Sequence, residues 1–217
     1  MSHHPIIARE GWPFIAISFL IALAATVASV HVVLTIVLWI VFLFVVQFFR
    51  DPERHPIGQN HDILSPADGK VIVVQETTDP YLNRPSIKIS VFMNVFNVHS
   101  NRSPANGTIK QQWYHPGRFF NAALDKASVE NERNALWMHT DCGQDIVFVQ
   151  IAGLIARRIL CYTKPNDQLS RGQRYGFIRF GSRVDLYLPL DVEIKASIGD
   201  TVHAATSILA SFKKTND

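Results

Sequence analysis

The chain has 217 residues, 47% hydrophobic and 18% charged, with a formal charge of +3, enough for one or two domains with a sizeable core. Residues 11–49 contain no Asp, Glu, Lys or Arg, and 31 of these 39 are hydrophobic; the rest has the composition of an ordinary soluble domain. Intrinsic disorder and a polytopic transporter are excluded, and a soluble domain tied to a membrane is indicated.

Residues 1–10 form a short tail, and the apolar block follows. As one helix, 11–49 would run about 57 Å, against a hydrocarbon core of about 30 Å. Two helices of about 17 residues, turning at Ser29-Val30-His31, fit that thickness. Arg9 flanks one end of the block and Arg50 and Arg54 the other, with no basic residue at the turn. Both ends are therefore expected in the cytoplasm, with the block as a membrane hairpin. The alternative, one long tilted span, would export everything that follows. The block is too long for the apolar core of a secretory signal. Cys142 and Cys161 form no CxxC and suit a reducing compartment. Nine histidines show no metal-ligand spacing outside the terminal His3-His4, so no metal is expected.

Residues 50–61 (RDPERHPIGQNH) read as a polar linker with two prolines. Beyond it, short apolar runs broken by turn residues predict strands at 70–74, 87–92, 146–151, 177–180, 184–188 and 192–196. Phe119, Phe120, Ala123 and Leu124 share one helical face, and 152–158 is a second helix candidate. The expected domain, 62–217, is mainly β (α+β) with few short helices. Its closing stretch, ASIGDTVHAATSILASF, resembles the last strands of biotinyl and lipoyl carrier domains, and SPADGKV resembles their opening strand. The pair suggests a barrel-sandwich-hybrid-like fold. The hairpin that bears the modified lysine of carriers is absent, so a carrier function does not follow.

Three local features bear on chemistry. Gly181-Ser182 interrupts a strand-like run; alone it reads as a bulge or turn. Asp68 lies in SPADG, where an aspartate ahead of glycine commonly does no more than cap a turn. His99 follows the apolar run FMNVFNV, and a lone histidine there is more often a hydrogen-bonded loop residue than a catalyst.

Together with FFRDPERHP, FMNVFNVHSNRSP, YHPGRFFNAALDKASVENER, QIAGLIARRILCY and RGQRYGFIRFGSRVDLYLP, these features carry a resemblance across roughly residues 48–190. The chain resembles the short form of the phosphatidylserine decarboxylase family, pyruvoyl-dependent enzymes that make phosphatidylethanolamine. It departs from the longer bacterial form, which has two histidines in a YHRxH pattern: Phe96 stands in place of the first, so only His99 carries over.

The resemblance implies self-cleavage between Gly181 and Ser182 into chains 1–181 and 182–217. Ser182 would be the nucleophile, His99 the general base and Asp68 the residue that orients His99. The pyruvoyl cofactor would form from Ser182 and decarboxylate the lipid through a Schiff base. Further implications are a phosphatidylserine substrate, a heterodimer of the two chains with higher oligomers left open, and a cell-membrane location with the domain on the cytoplasmic face. Arg157-Arg158, Arg171, Arg174, Arg179 and Arg183 are expected to favour an anionic leaflet. Nucleic acid is not an expected partner, since no reader motif appears. Two other readings stay open: decarboxylation of an ether lipid bearing serine, and a non-catalytic membrane-anchored adaptor. A serine hydrolase lacks its GxSxG elbow.

Overall fold

The computed structural model describes residues 6–124, 127–153, 158–179 and 181–213. The chain divides into two compact units between Glu53 and Arg54, inside the expected 50–61 linker.

The first unit is a helical hairpin. A 3-10 turn at Arg9–Gly11 leads into α1 (Trp12–Val27), whose Pro13 sits in the first turn, where no intrahelical donor is lost. The chain reverses over four residues, with Ser29 in the left-handed region at φ +52°, and returns as α2 (Val32–Phe48). The Trp39 indole donates to Thr26 Oγ1 at 3.1 Å, and Phe19 packs on Trp39 and Phe42. Ile17, Leu20, Ile36, Ile40 and Leu43 remain exposed. Helices that are apolar on every side need an apolar medium around them. The continuous helical run Arg9–Val27 is long and apolar enough to cross a membrane, and α2 has 17 residues.

The second unit is mostly β. In chain order its elements are β1 (Asp62–Leu64), β2 (Gly69–Asp79), β3 (Arg84–Met93), β4 (Ser100–Arg102), β5 (Gly107–His115), α3 (Ala127–Glu130), β6 (Arg133–Thr140), β7 (Asp145–Ala152), β8 (Ile159–Cys161), β9 (Gln168–Leu169), β10 (Arg174–Ile178), β11 (Ser182–Leu188), β12 (Val192–Ile194), β13 (Thr201–Val202) and β14 (Ile208–Phe212). A curled eight-stranded sheet runs β13-β2-β3-β11-β7-β6-β5-β9, and two three-stranded sheets run β1-β14-β12 and β4-β10-β8.

β11 occupies the interior of the large sheet, antiparallel to β3 on one side and β7 on the other. Its side chains alternate between two buried layers, as the two-residue period of a strand requires. Val184, Leu186 and Leu188 enter the main core with Ile89, Val91, Met93 and Phe148; Tyr187 joins a smaller layer of Ala127, Val147, Val149 and Ile151.

The expected mainly-β class with few short helices matches this architecture. The predicted strands fall within β2, β3, β7, β10, β11 and β12, with Arg179 and residues 195–196 beyond those bounds and Phe180 outside the described residues. The helix expected from Phe119 to Leu124 is not formed. The Asn131 side chain instead accepts the Phe120 N–H at 2.9 Å and donates to the Phe120 carbonyl at 2.8 Å, and residues 121–124 form a turn closed by the Leu124 N–H on the Asn121 carbonyl at 3.0 Å. Only a four-residue helix, α3, follows. Most of the other helix candidate, 154–157, lies outside the described residues, and its Ala152 closes β7.

Candidate active site

The site lies where three strands end together. Ser182, the first residue of β11, is in register with Met93 at the end of β3 and Ala152 at the end of β7. Gly181, just before it, has φ +67°, a conformation that costs other residues roughly 1–2 kcal/mol. A Cβ at 181 would meet nothing within 4 Å, so backbone conformation and not crowding explains this glycine. Crowding explains another. A Cβ on Gly153 would overlap the Gly181 carbonyl oxygen and come 2.8 Å from its carbon. The carbonyl that Ser182 would attack is thus packed against bare backbone.

His99 is fully buried in the loop ahead of β4. Its Nδ1 lies 2.9 Å from the Asn97 carbonyl, and its Nε2 lies 3.3 Å from the Gly181 amide nitrogen. A carbonyl only accepts and an amide N–H only donates, so both contacts select the neutral tautomer with the proton on Nδ1. The His99 carbonyl accepts the Ile178 N–H at 3.3 Å, and the Phe177 ring lies beside the imidazole. Ser182 is also fully buried, and its hydroxyl donates to the Met93 sulfur at 3.1 Å.

Gly181, Ser182 and His99 are therefore neighbours. Asp68 is buried in a different set of contacts. One carboxylate oxygen accepts the Ala204 N–H at 2.8 Å; the other meets an Arg54 nitrogen at 2.8 Å and His203 Nδ1 at 3.4 Å. Among the described residues these, and not His99, are its hydrogen-bond partners. No group of three or more His, Cys, Asp or Glu side chains among the described residues could hold a metal ion.

Sequence reasoning missed three contributors. Gly153 and Met93 carry no local signal, because each matters only through a partner distant in the chain. Arg183 was expected on the surface facing anionic lipid, and this is corrected: its side chain has no exposure. Alternation places it on the sheet face opposite Ser182, under the segment that contains α3. There its Nε meets Asp185 at 2.5 Å, and a terminal nitrogen donates to Ser90 Oγ at 2.9 Å. The second Asp185 oxygen takes Lys88 at 3.1 Å and the Ser128 hydroxyl at 2.9 Å. Burial pushes the Asp185 carboxyl upward, but Arg183 and Lys88 outweigh that and hold it below its ordinary 3.8.

A family model described as phosphatidylserine decarboxylase matches residues 41–210. Three curated proteins, each called phosphatidylserine decarboxylase proenzyme, align over nearly the whole chain. The one from Nitrosomonas europaea is 57% identical over 209 residues, 96% of each chain. The one from Aromatoleum aromaticum is 60% identical over 208 residues, 95% of this chain and 96% of its own. The one from Burkholderia ambifaria strain MC40-6 is 57% identical over 215 residues, 97% of this chain and 98% of its own.

Two outcomes follow from the geometry. Gly153→Ala should displace the Gly181 carbonyl and, if the chain cuts itself as the resemblance implies, slow that scission about 100-fold, read as the fraction of full-length chain by intact mass. Gly143→Ala, strained at φ +77° but with open space for a Cβ, controls for general backbone destabilisation and should leave scission unchanged. Because the folded Asp185 pKa is depressed, its stabilisation is complete above about pH 3.8 and is lost as pH falls through the lower folded value. Asp185→Asn should therefore flatten the fall in melting temperature as pH drops below about 3.8, relative to the parent.

Proposed function

We propose, because this chain belongs to the phosphatidylserine decarboxylase family, that it cuts its own backbone between Gly181 and Ser182 and uses residue 182 in its reaction. The chain is a carboxy-lyase that converts phosphatidylserine to phosphatidylethanolamine with release of CO₂. The non-catalytic adaptor is set aside. The observation that carries the self-cutting reading is the 3.3 Å approach of His99 Nε2 to the Gly181 amide, beside a buried Ser182. An unprotonated imidazole nitrogen then stands at the segment to be cut.

In the precursor, Ser182 Oγ turns away from Met93, gives its proton to His99 Nε2 and attacks the Gly181 carbonyl carbon. The peptide C–N bond breaks as the C–O ester forms, and the Ser182 nitrogen takes the proton. Loss of the Ser182 α-proton then expels the Gly181 carboxylate. Chain 1–181 ends in that carboxylate, and residue 182 is left as dehydroalanine. Tautomerisation and addition of water release ammonia and leave a pyruvoyl group at the head of chain 182–217. Orientation of His99 by Asp68 requires the carboxylate to exchange Arg54 or His203 for the imidazole, and the His99 Nδ1–H to leave Asn97.

The residues present fit that group: a buried serine, a left-handed glycine before it and an imidazole within reach. A pyruvoyl ketone would supply an electron sink for the pair released as the lipid carboxylate departs. His99 would hold a proton for return to the product carbon. Burial of Ser182 and His99 keeps water from the reacting atoms, which favours loss of a carboxylate.

The apolar helix Arg9–Val27 suggests membrane association. The finer reading is a hairpin in the cell membrane with both ends, and the decarboxylase unit, on the cytoplasmic side, since basic residues flank only the outer ends of the block. The two chains would remain a heterodimer, because β11 pairs on both sides with strands of the larger chain.

Intact-mass analysis of the purified protein should show two species, the smaller with 36 residues and a blocked N-terminus. Ser182→Ala should remain one full-length chain, and His99→Ala should process at least about 100-fold more slowly. A wild-type chain that stays whole would remove the cofactor assignment. In intact spheroplasts, protease added outside should spare residues 54–217; their digestion would favour the single exporting span.

A further inference from the structure

We infer that the buried cluster of Arg183, Asp185, Lys88, Ser90 and Ser128 is a positioning device, with Arg183 gripping the new end of the small chain so that residue 182 stays in the site after scission. The inference rests on the self-cutting reading, since an uncut chain would hold residue 182 from both sides.

An arginine with no exposed surface has lost its hydration, and an ion pair with aspartate often does no more than offset that loss. Apolar residues of similar size would fill the space between β11 and α3 as well, so stability alone is a weak reason for the cluster. Its membership is more informative. Arg183 and Asp185 belong to 182–217, whereas Lys88, Ser90, Leu124 and Ser128 belong to 1–181. Arg183 reaches Asp185 on its own strand, Ser90 on β3 and, at 3.5 Å, the Leu124 carbonyl in the segment before α3. Ser128 donates to Asp185 and accepts from Lys88 at 3.1 Å, which ties α3 to the same cluster. Every bond between the two sides crosses the boundary that scission creates.

The cut leaves residue 182 at a chain terminus, and strand ends fray unless they are held. The ladder to Met93 and Ala152 supplies backbone bonds to that terminus. The Arg183 fork, one residue further on, fixes the strand from the opposite face of the sheet. It does this without placing any group on the face where substrate would meet residue 182. Arg183 is thus a positioning residue that acts through the backbone of its neighbour.

The test compares Arg183→Lys and Arg183→Met in the full-length protein, each with Ser182 intact and with Ser182→Ala. Lysine keeps a cation for Asp185 and gives up the fork to Ser90 and Leu124, so it provides a folded variant should methionine fail to fold. The expected result is a cut Arg183→Lys enzyme whose kcat falls about ten-fold or more with KM within about two-fold, because displacement of a reacting group by about 1 Å costs rate and not binding. Its small chain should also be released at a lower urea concentration than that of wild type. In the uncuttable Ser182→Ala background the same substitution should lower the melting temperature less than it does in the cut protein. Wild-type kcat in cut Arg183→Lys, or equal loss of melting temperature in cut and uncut forms, would overturn the inference. A wild-type chain that proves uncut would instead overturn the reading on which it rests.

Discussion

β11 is hydrogen-bonded along its length to β3 and to β7, and every one of its seven residues is buried. That double pairing leaves no freedom of register: a slip of one residue would put Val184 and Leu186 into the charged layer and Arg183 and Asp185 into the apolar core. With the register fixed, Ser182 has one position, between Met93 and Ala152. Gly181 must then leave the strand immediately, which it does in the left-handed region, and the His99 loop closes over it. The site depends on that strand more than on any pair of catalytic groups.

The two faces of β11 divide its tasks. The Ser182 face continues into the main apolar core, so the hydroxyl lies in dry surroundings whose described acceptor is a methionine sulfur. A thioether is a weak acceptor, so on the proposed reading the hydroxyl would have little to lose in turning to attack. The opposite face carries charge, paired within itself and closed off by the segment containing α3. Adjacent residues thus live in unlike environments, and a strand achieves this simply by alternating.

Much of this was legible in the sequence. A charge-free run too long for one span pointed to two helices with a turn between them, the arrangement of α1 and α2, and apolar runs between turn residues gave the inner strands. β5, with Lys110, Gln111 and Gln112 at its middle, and β6 showed no such contrast; they are strands because each pairs with a neighbour, a property no local window contains. The face formed by Phe119, Phe120 and Leu124 has helical spacing, but the Asn131 amide offers the backbone a better partner. Gly181, Ser182 and His99 were marked by motif and lie together. Arg183 was misjudged because arginine is a surface residue in most settings, and here its counter-charge is Asp185 and its other described partners are Ser90 and the Leu124 carbonyl. Gly153 was unmarked because its meaning is the carbonyl of residue 181, 28 positions away.

The register of Ser182 also sets an order of events in the life of the molecule. Met93, His99, Gly153 and Ser182 are scattered over some 90 residues and meet only when β3, β7 and β11 are paired. A nascent or misfolded chain has the serine and the glycine but neither the histidine beside them nor the carbonyl seated against Gly153, and on the proposed reading it would not cut. On the proposed self-cutting reading, scission would certify the fold, and only a copy that had passed that inspection would acquire the means to act on a lipid.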